Sequence, residues 1–202
     1  MAQIDGIFYI NLDYRTDRKE QIEAEMAKVG IPNVERFPAI RSNPGIIGCG
    51  LSHLAVLKLA RSRGYRNVLI FEDDFEFLVD RETFWKYMED LFAEVKSYDV
   101  IMLAYYAPRT EPSTPLVQKV IEAQTTSGYI VHSKFYDTLI NLYEDAMPKL
   151  ISTGEHWNYA NDQVWKPLQP ISEWYATTTR IGKQRASMSD CGTEPVFYDY
   201  GI

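Results

Sequence analysis

The chain of 202 residues is poor in cysteine and histidine and has no long apolar run, and each scarcity excludes something. Its two cysteines, Cys49 and Cys191, lie far apart with no CxxC or Cys/His spacing, so neither a disulfide framework nor a zinc ribbon organises the fold. That pattern fits a reduced compartment and leaves a single disulfide open. No segment approaches the roughly 20 apolar residues of a membrane span, and the first six residues lack the charged and apolar stretches of a signal peptide. Positive charge is in deficit, 21 Lys and Arg against 28 Asp and Glu, for a formal charge of -7. General attraction to nucleic acid or anionic lipid is thereby disfavoured, and a phosphate ligand would need local cations. Internal repeats, low-complexity tracts and linker-like segments are also missing. The 46% of hydrophobic residues is enough for one full core, so the expectation is a single domain over 1–202.

The most informative segment is Val68-Leu69-Ile70-Phe71-Glu72-Asp73-Asp74-Phe75-Glu76-Phe77, an apolar β-rich run that drives into three successive carboxylates. A buried parallel strand reads as such a run, so the charges fall where it leaves the sheet. Open α/β sheets bind ligands at that edge. Like charges this close raise one another's pKa, and a cation is the usual remedy. The alternative is a solvated acidic turn.

The remaining pattern alternates β and α. Gly6–Asn11 reads as a short strand ending in a polar loop. Asp17 reads as an N-cap with Glu20 three residues on, followed by Ile22, Met26 and Val29 on one helical face before Gly30 and Pro32. Residues 34–39 read as a second strand and 42–45 as a turn. Leu51–Arg63 reads as a helix stopped by Gly64, Asp80–Lys96 as another, and 99–104 as a buried strand. Three prolines, 108, 112 and 115, make 107–116 a loop, and 117–123 and 128–132 are two weaker strands. A helix over 133–146, a short one over 161–165 and a strand over 174–178 complete the series.

Two further segments could carry chemistry. Asn11-Leu12-Asp13-Tyr14-Arg15-Thr16-Asp17-Arg18 lies between a strand and a helix N-terminus, where an anion is favoured, and Arg15 and Arg18 suit phosphate. The competing reading makes them surface arginines in helix-end salt bridges. Gly48-Cys49-Gly50-Leu51-Ser52-His53 is a polar interruption in which Ser52 caps the following helix and His53 is a satisfied semi-buried histidine, or both face a ligand.

In that order, Tyr9-Ile10-Asn11-Leu12 with Arg15, Asp17 and Arg18, then Gly48-Cys49 with Ser52-His53, then Phe71-Glu72-Asp73-Asp74, the chain resembles the family 25 glycosyltransferases. That family includes bacterial lipopolysaccharide glycosyltransferases and collagen galactosyltransferases. Ser127-Gly128-Tyr129-Ile130-Val131, Asn161-Asp162-Gln163, Gln184 and Ser189-Asp190 extend the likeness more loosely over nearly the whole chain. The resemblance implies a single GT-A-type α/β domain with a mixed, mostly parallel sheet flanked by helices. A nucleotide- and metal-binding half would span 1–104 and an acceptor-side half 105–202. It implies inverting transfer of a hexose or pentose from a nucleoside-diphosphate sugar, UDP-linked by preference, to a hydroxyl of a glycan or hydroxylated protein. It further implies Mn²⁺ or Mg²⁺ held by Asp74 and Glu72, with Asn11, Arg15, Arg18, Ser52, His53, Glu72, Ser127 and Gly128 around the donor. The implied general base is Asp162, with Glu155 in reserve. The lack of a signal peptide or membrane span separately sets the expectation of a cytoplasmic protein of bacterial or viral type. Because side chains alternate along an extended chain, Asp73 is expected to point away from Glu72 and Asp74. Tyr105, Tyr106, Trp157, Trp165, Trp174 and Tyr175 are core residues or sugar-stacking platforms.

Two other readings compete. A metal-dependent phosphoester hydrolase would place carboxylates at several strand ends, whereas Asp99 begins its strand. A non-catalytic sugar-binding module would keep the fold and lack the base.

Overall fold

The computed structural model describes residues 3–191 and the backbone of 196–198. A sheet of six strands, in the order β2-β1-β3-β6-β5-β7, forms the middle layer. Its strands are β1 (Gly6–Asn11), β2 (Val34–Pro38), β3 (Asn67–Glu72), β5 (Val100–Pro112), β6 (Val117–His132) and β7 (Trp174–Thr177). Neighbouring pairs β1–β2, β1–β3 and β5–β7 run parallel, while β6 is antiparallel to β3, β5 and β7. The sheet is thus mixed, as the sequence reading has it, and the architecture is α/β of the GT-A kind.

Alternation along the central strands builds two cores. Ile7, Tyr9, Leu69 and Phe71 face one side, where α1 (Thr16–Val29) contributes Ile22, Met26 and Val29 and α3 (Arg81–Glu94) contributes Phe84, Met88 and Leu91. Phe8, Ile10, Val68 and Ile70 face the other, against α2 (Gly45–Ser62) and α4 (Tyr136–Thr153) through Leu54, Leu57, Leu139 and Tyr143. Period 2 in the strands and period 3.6 in the helices therefore agree on the same layers. From β1 the chain crosses by α1 to β2 on one side, then by α2 on the opposite face to β3 on the other. The carboxyl ends of β1 and β3 therefore form a switch-point crevice.

Several expectations need correcting. The helix α1 begins at Thr16 after Arg15, and Asp17 lies in its first turn, bonded to Arg15, without capping it. The segment Gly48–His53 does not precede α2 but lies inside it. A side chain at Gly48 would collide with the backbone of Ile40 and Ser42, and one at Gly50 with Met147. These glycines let the helix approach its neighbours and do not break it. The prolines at 108 and 112 do not make a loop either. Strand β5 runs through them with repeated register shifts and pairs with an unbroken β6, so 117–123 and 128–132 are one strand. Bulges of this kind absorb proline in a ladder. The 104/105 boundary between halves falls inside β5.

Small pieces close the carboxyl edge. Strand β4 (Phe75–Phe77) pairs with β8 (Gly182–Gln184), placing Gln184 opposite Phe75, and β9 (Ser187–Ser189) pairs with β10 (Val196–Tyr198). Two short helices, α5 (His156–Tyr159) and α6 (Asn161–Val164), follow α4. Trp165 and Trp174 are fully buried and pack edge to face, which assigns both to the core, whereas Trp157 is 62% exposed.

Candidate active site

Asn11 and Glu72 end β1 and β3, and the register Ile10↔Glu72 sets them side by side at the crevice. A pocket there is bordered by Asn11, Arg18, His53, Glu72, Asp73 and Asp74, with Cys49, Gln184, Asp190 and Cys191 around it. The acidic strand end is therefore part of a cleft and not a solvated turn.

All three carboxylates reach this cleft, which corrects the expectation for Asp73. Alternation holds only while the chain is extended, and at residues 73–74 it turns. Asp73 accepts hydrogen bonds from Asn11 Nδ2 at 2.7 Å and from an Arg18 guanidinium nitrogen at 2.9 Å. Arg18 is also 3.6 Å from Asp74 Oδ2, which Gln184 Nε2 approaches at 2.9 Å. The other oxygen, Asp74 Oδ1, is buried without a hydrogen-bond partner among the described residues. Burial, with the Glu72 charge close by, pushes the Asp74 carboxyl up to about 7 against the pull of Arg18 and Gln184.

Glu72 is treated differently by its surroundings. Its Oε1 accepts from His53 Nε2 at 3.0 Å and from the Thr126 hydroxyl, with Cys49 Sγ at 3.9 Å. Its Oε2 takes no hydrogen bond among the described residues. Burial pushes the carboxyl up, but the hydrogen bonds from His53 and Thr126, with the Arg18 charge, outweigh it and leave Glu72 below the usual carboxylate range. Each of the two acids thus has one oxygen hydrogen-bonded by protein and one with no hydrogen-bond partner among the described residues. Two hard oxygens at a strand end suit Mn²⁺ or Mg²⁺, which bind through one or two carboxylates plus phosphate and water.

Both arginines make salt bridges, though Arg18 is not the surface group of that reading: it is buried and borders the pocket. Arg15 bonds Asp17 at 2.8 Å and also Asp190, and it donates to the Met188 carbonyl at 3.2 Å. Arg18 holds Asp73 and donates to Ser187 Oγ and the Met188 carbonyl at 2.7 and 2.8 Å. Both guanidinium groups therefore tie the C-terminal strand β9 to the first helix, and Arg15 does not border the pocket.

Other sequence candidates are placed apart from the pocket lining. Ser52 accepts from the Ile40 N–H at 2.8 Å and donates to the Gly48 carbonyl at 2.6 Å, bracing α2 from within. Ser127 and Gly128 sit on β6, where Gly128 leaves room for the Phe75 ring. Glu155 accepts from Asn158 Nδ2 at 2.9 Å at the start of α5. Asp162 accepts from the Thr125 N–H at 3.2 Å and from Gln163 Nε2 at 3.1 Å. Burial holds its carboxyl above the usual range, against the Thr125 and Gln163 hydrogen bonds.

Thr125 adopts φ 78°, a left-handed conformation rare for a β-branched residue. It joins the two halves of the site, because its own N–H reaches Asp162 while the next residue, Thr126, reaches Glu72. Asn161 Nδ2 adds a bond to Thr126 Oγ1 at 3.3 Å. Asn161, Thr126, Tyr129 and Gln184 are contributors that motif reading had given no role. Asn161, Tyr129 and Gln184 have a signal, their places in the loose part of the resemblance, and Thr126 has none.

The fold and its acidic switch-point crevice define the class, an α/β domain of the GT-A glycosyltransferase type. Within that class the chain is similar to the family 25 glycosyltransferases. It is 28% identical over 138 residues to the human protein named inactive glycosyltransferase 25 family member 3, a match covering 54% of this chain and 23% of the relative. The match thus spans under a quarter of that relative's length. No family model matches the chain. In three dimensions it is similar to the crystal structure of a glycosyltransferase involved in the glycosylation of the major capsid of PBCV-1. The TM-score is 0.56 and the identity 11%, over 92% of this chain and 94% of that one. Among the described residues, no helix is long and apolar enough to cross a membrane.

Proposed function

We propose that the protein is a metal-dependent, inverting glycosyltransferase that moves a hexose or pentose from a nucleoside-diphosphate sugar, with UDP the leading choice, to a hydroxyl acceptor. The observation that carries this reading is a pair of carboxylate oxygens in a cleft of a GT-A-type fold: Asp74 Oδ1, buried without a hydrogen-bond partner among the described residues, and Glu72 Oε2, which accepts no hydrogen bond from them while Oε1 is engaged. Bound there, Mn²⁺ or Mg²⁺ would neutralise charge developing on the departing diphosphate. The chain's own part is to hold that cation against Asp74 and Glu72. Arg18 engages Asp73 in an ion pair at the cleft and lies 3.6 Å from Asp74. Asn11 and His53 border the nucleotide end.

Deprotonation of the acceptor falls to Asp162 in preference to Glu155. Asp162 is linked through Thr125 and Thr126 to Glu72, and its raised pKa moves it toward the poise a general base needs. Glu155 is engaged locally at its own helix start. The acceptor would be a glycan or a hydroxylated protein side chain.

A second reading, a nucleotide-sugar-binding module without turnover, is favoured by one observation: both oxygens of Asp162 already accept hydrogen bonds. The deciding experiment is a screen of nucleotide sugars for Mn²⁺-dependent release of nucleoside diphosphate, run beside thermal unfolding. A ligand that binds only the folded state raises stability by about 2.7 kcal/mol at a hundredfold excess over Kd. Metal-dependent stabilisation with release supports the transferase, stabilisation without release supports the module, and neither effect with any base defeats both.

A further inference from the structure

We propose that His53 is the positioning residue of the donor site: clamped between Tyr129 and Glu72, it fixes one Glu72 oxygen so that the other stays free for the cation. This rests on the donor-site reading above and deepens it by naming what aims the carboxylate. His53 has no exposed surface. Its Nδ1 lies 2.8 Å from the Tyr129 hydroxyl and its Nε2 3.0 Å from Glu72 Oε1. An ionised carboxylate can only accept, so Nε2 carries a proton, and in the neutral ring Nδ1 then accepts from the Tyr129 hydroxyl. The imidazole ring also lies nearly parallel to the Tyr129 ring, at 5.7 Å between centroids. Both edges and one face of the imidazole are therefore constrained.

The strut is supplied by three elements that the sheet brings together. Helix α2 carries His53, β6 carries Tyr129 and Thr126, and β3 ends at Glu72. The missing side chain at Gly50 lets α2 approach Met147 of α4, at the turn that presents Cys49 and His53. Thr126 meets the same oxygen of Glu72 from the opposite strand. Two donors on Oε1 lock the carboxylate's rotation, and a freely rotating one would spread its charge away from the position beside Asp74. Outer contacts of this kind orient metal ligands and usually tune their affinity.

A different use of the same atoms is weaker. Cys49 Sγ, His53 Nε2 and a Glu72 oxygen lie within 4.8 Å of one another, a donor set that would suit zinc. An ion there would have to break the His53–Glu72 bond and take the thiol proton. As the structure stands, both ring nitrogens and Oε1 are already satisfied.

The test is a binding cycle on the whole chain, with Mn²⁺ and UDP as the probes. His53→Phe should weaken Mn²⁺-dependent UDP binding about 10- to 100-fold. His53→Gln, whose amide can still donate to Glu72, should keep most of it. In a Glu72→Ala background, His53→Phe should cost nothing further. A structural role alone would give Gln and Phe similar losses that persist without Glu72, and either result overturns the proposal. If His53→Phe does not fold, Tyr129→Phe, which removes only the hydroxyl holding Nδ1, takes its place. A parent protein that binds no Mn²⁺–UDP defeats the donor reading and the positioning role together. A parent that binds while the Phe variant binds equally well defeats the positioning role alone. Intense cobalt–thiolate absorption in the parent, lost in Cys49→Ser, would overturn the strut in favour of a metal centre.

Discussion

Asp74 at the end of β3 and Asp162 at the start of α6 are both acids that burial pushes above the usual carboxylate range, yet their surroundings are opposite in kind. Asp74 faces a pocket, stands beside two other acids and has one oxygen without a partner among the described residues. Asp162 lies off the pocket lining with both oxygens engaged. An unsatisfied buried oxygen costs stability in the empty protein and is retained where a ligand completes it. A satisfied acid can be retained for structure alone. The comparison therefore makes Asp74 the stronger functional assignment and leaves Asp162 the one most in need of a direct test.

The largest effect is expected at Asp74. Asp74→Asn should abolish Mn²⁺-dependent UDP binding and turnover while stabilising the metal-free protein near neutral pH by on the order of 2 kcal/mol. The sign follows from linkage. The folded-state pKa of about 7 lies above the ordinary 3.8, so the folded state holds the proton more tightly. The contribution of Asp74 to stability is fully present below the ordinary value and is lost as pH rises through about 7. Parent and Asn variant should thus unfold alike near pH 4 and diverge toward pH 7, with Mn²⁺ and UDP erasing the difference. Parallel melting curves across that range would remove Asp74 from the comparison.

Next comes the acid off the pocket. Asp162→Asn should leave Mn²⁺–UDP affinity nearly intact and lower the transfer rate by about 10² to 10⁴, the usual worth of a general base. An unchanged rate would show that its hydrogen bonds to Thr125 and Gln163 are its whole role.

The two regions also differ in how legible they were. Strands β1 and β3 announce themselves as apolar runs because both faces are buried, and the acids of 72–74 mark the edge of the sheet. Asp73 was misdirected because a period of two holds only inside a strand, and the chain turns there. In Gly48–His53, glycine reads locally as an interruption, yet the same residue type serves close helix packing against Ile40 and Met147. Prolines 108 and 112 likewise point to a loop when read singly, and only the register of the paired strand shows that bulges accommodate them. The arginines of the first loop have a local setting that fits phosphate. Apart from Asp17 beside Arg15, what engages them, Asp73, Ser187, Met188 and Asp190, is distant in sequence, and no local pattern reports it.

Those arginines supply the third contrast. Arg18 and Asp73 are a buried pair, and removing one partner strands the other's charge. Arg18→Ala should cost about 3–5 kcal/mol of stability. Arg15 spans partners nearer the surface, one of them more than half exposed, and Arg15→Ala should cost about 1 kcal/mol or less. Chemical denaturation decides this. Equal small losses, together with weakened UDP binding in both variants, would return the arginines to the phosphate.

The smallest effect is expected at Glu155, and it bears on the comparison most narrowly. Its carboxylate accepts from Asn158 Nδ2 at 2.9 Å, one turn along α5, in an exposed pair. Glutamine preserves both the acceptor oxygen and the length of the side chain, so Glu155→Gln should alter stability by no more than about 0.5 kcal/mol. It removes basicity, however, and that is the property under test. With Asp162 as base, Glu155→Gln should transfer sugar at the parent rate in the assay where Asp162→Asn is slow. The reverse outcome would move the base to α5, make the hydrogen bonds around Asp162 purely structural, and bring the acceptor to α5, which carries the exposed Trp157.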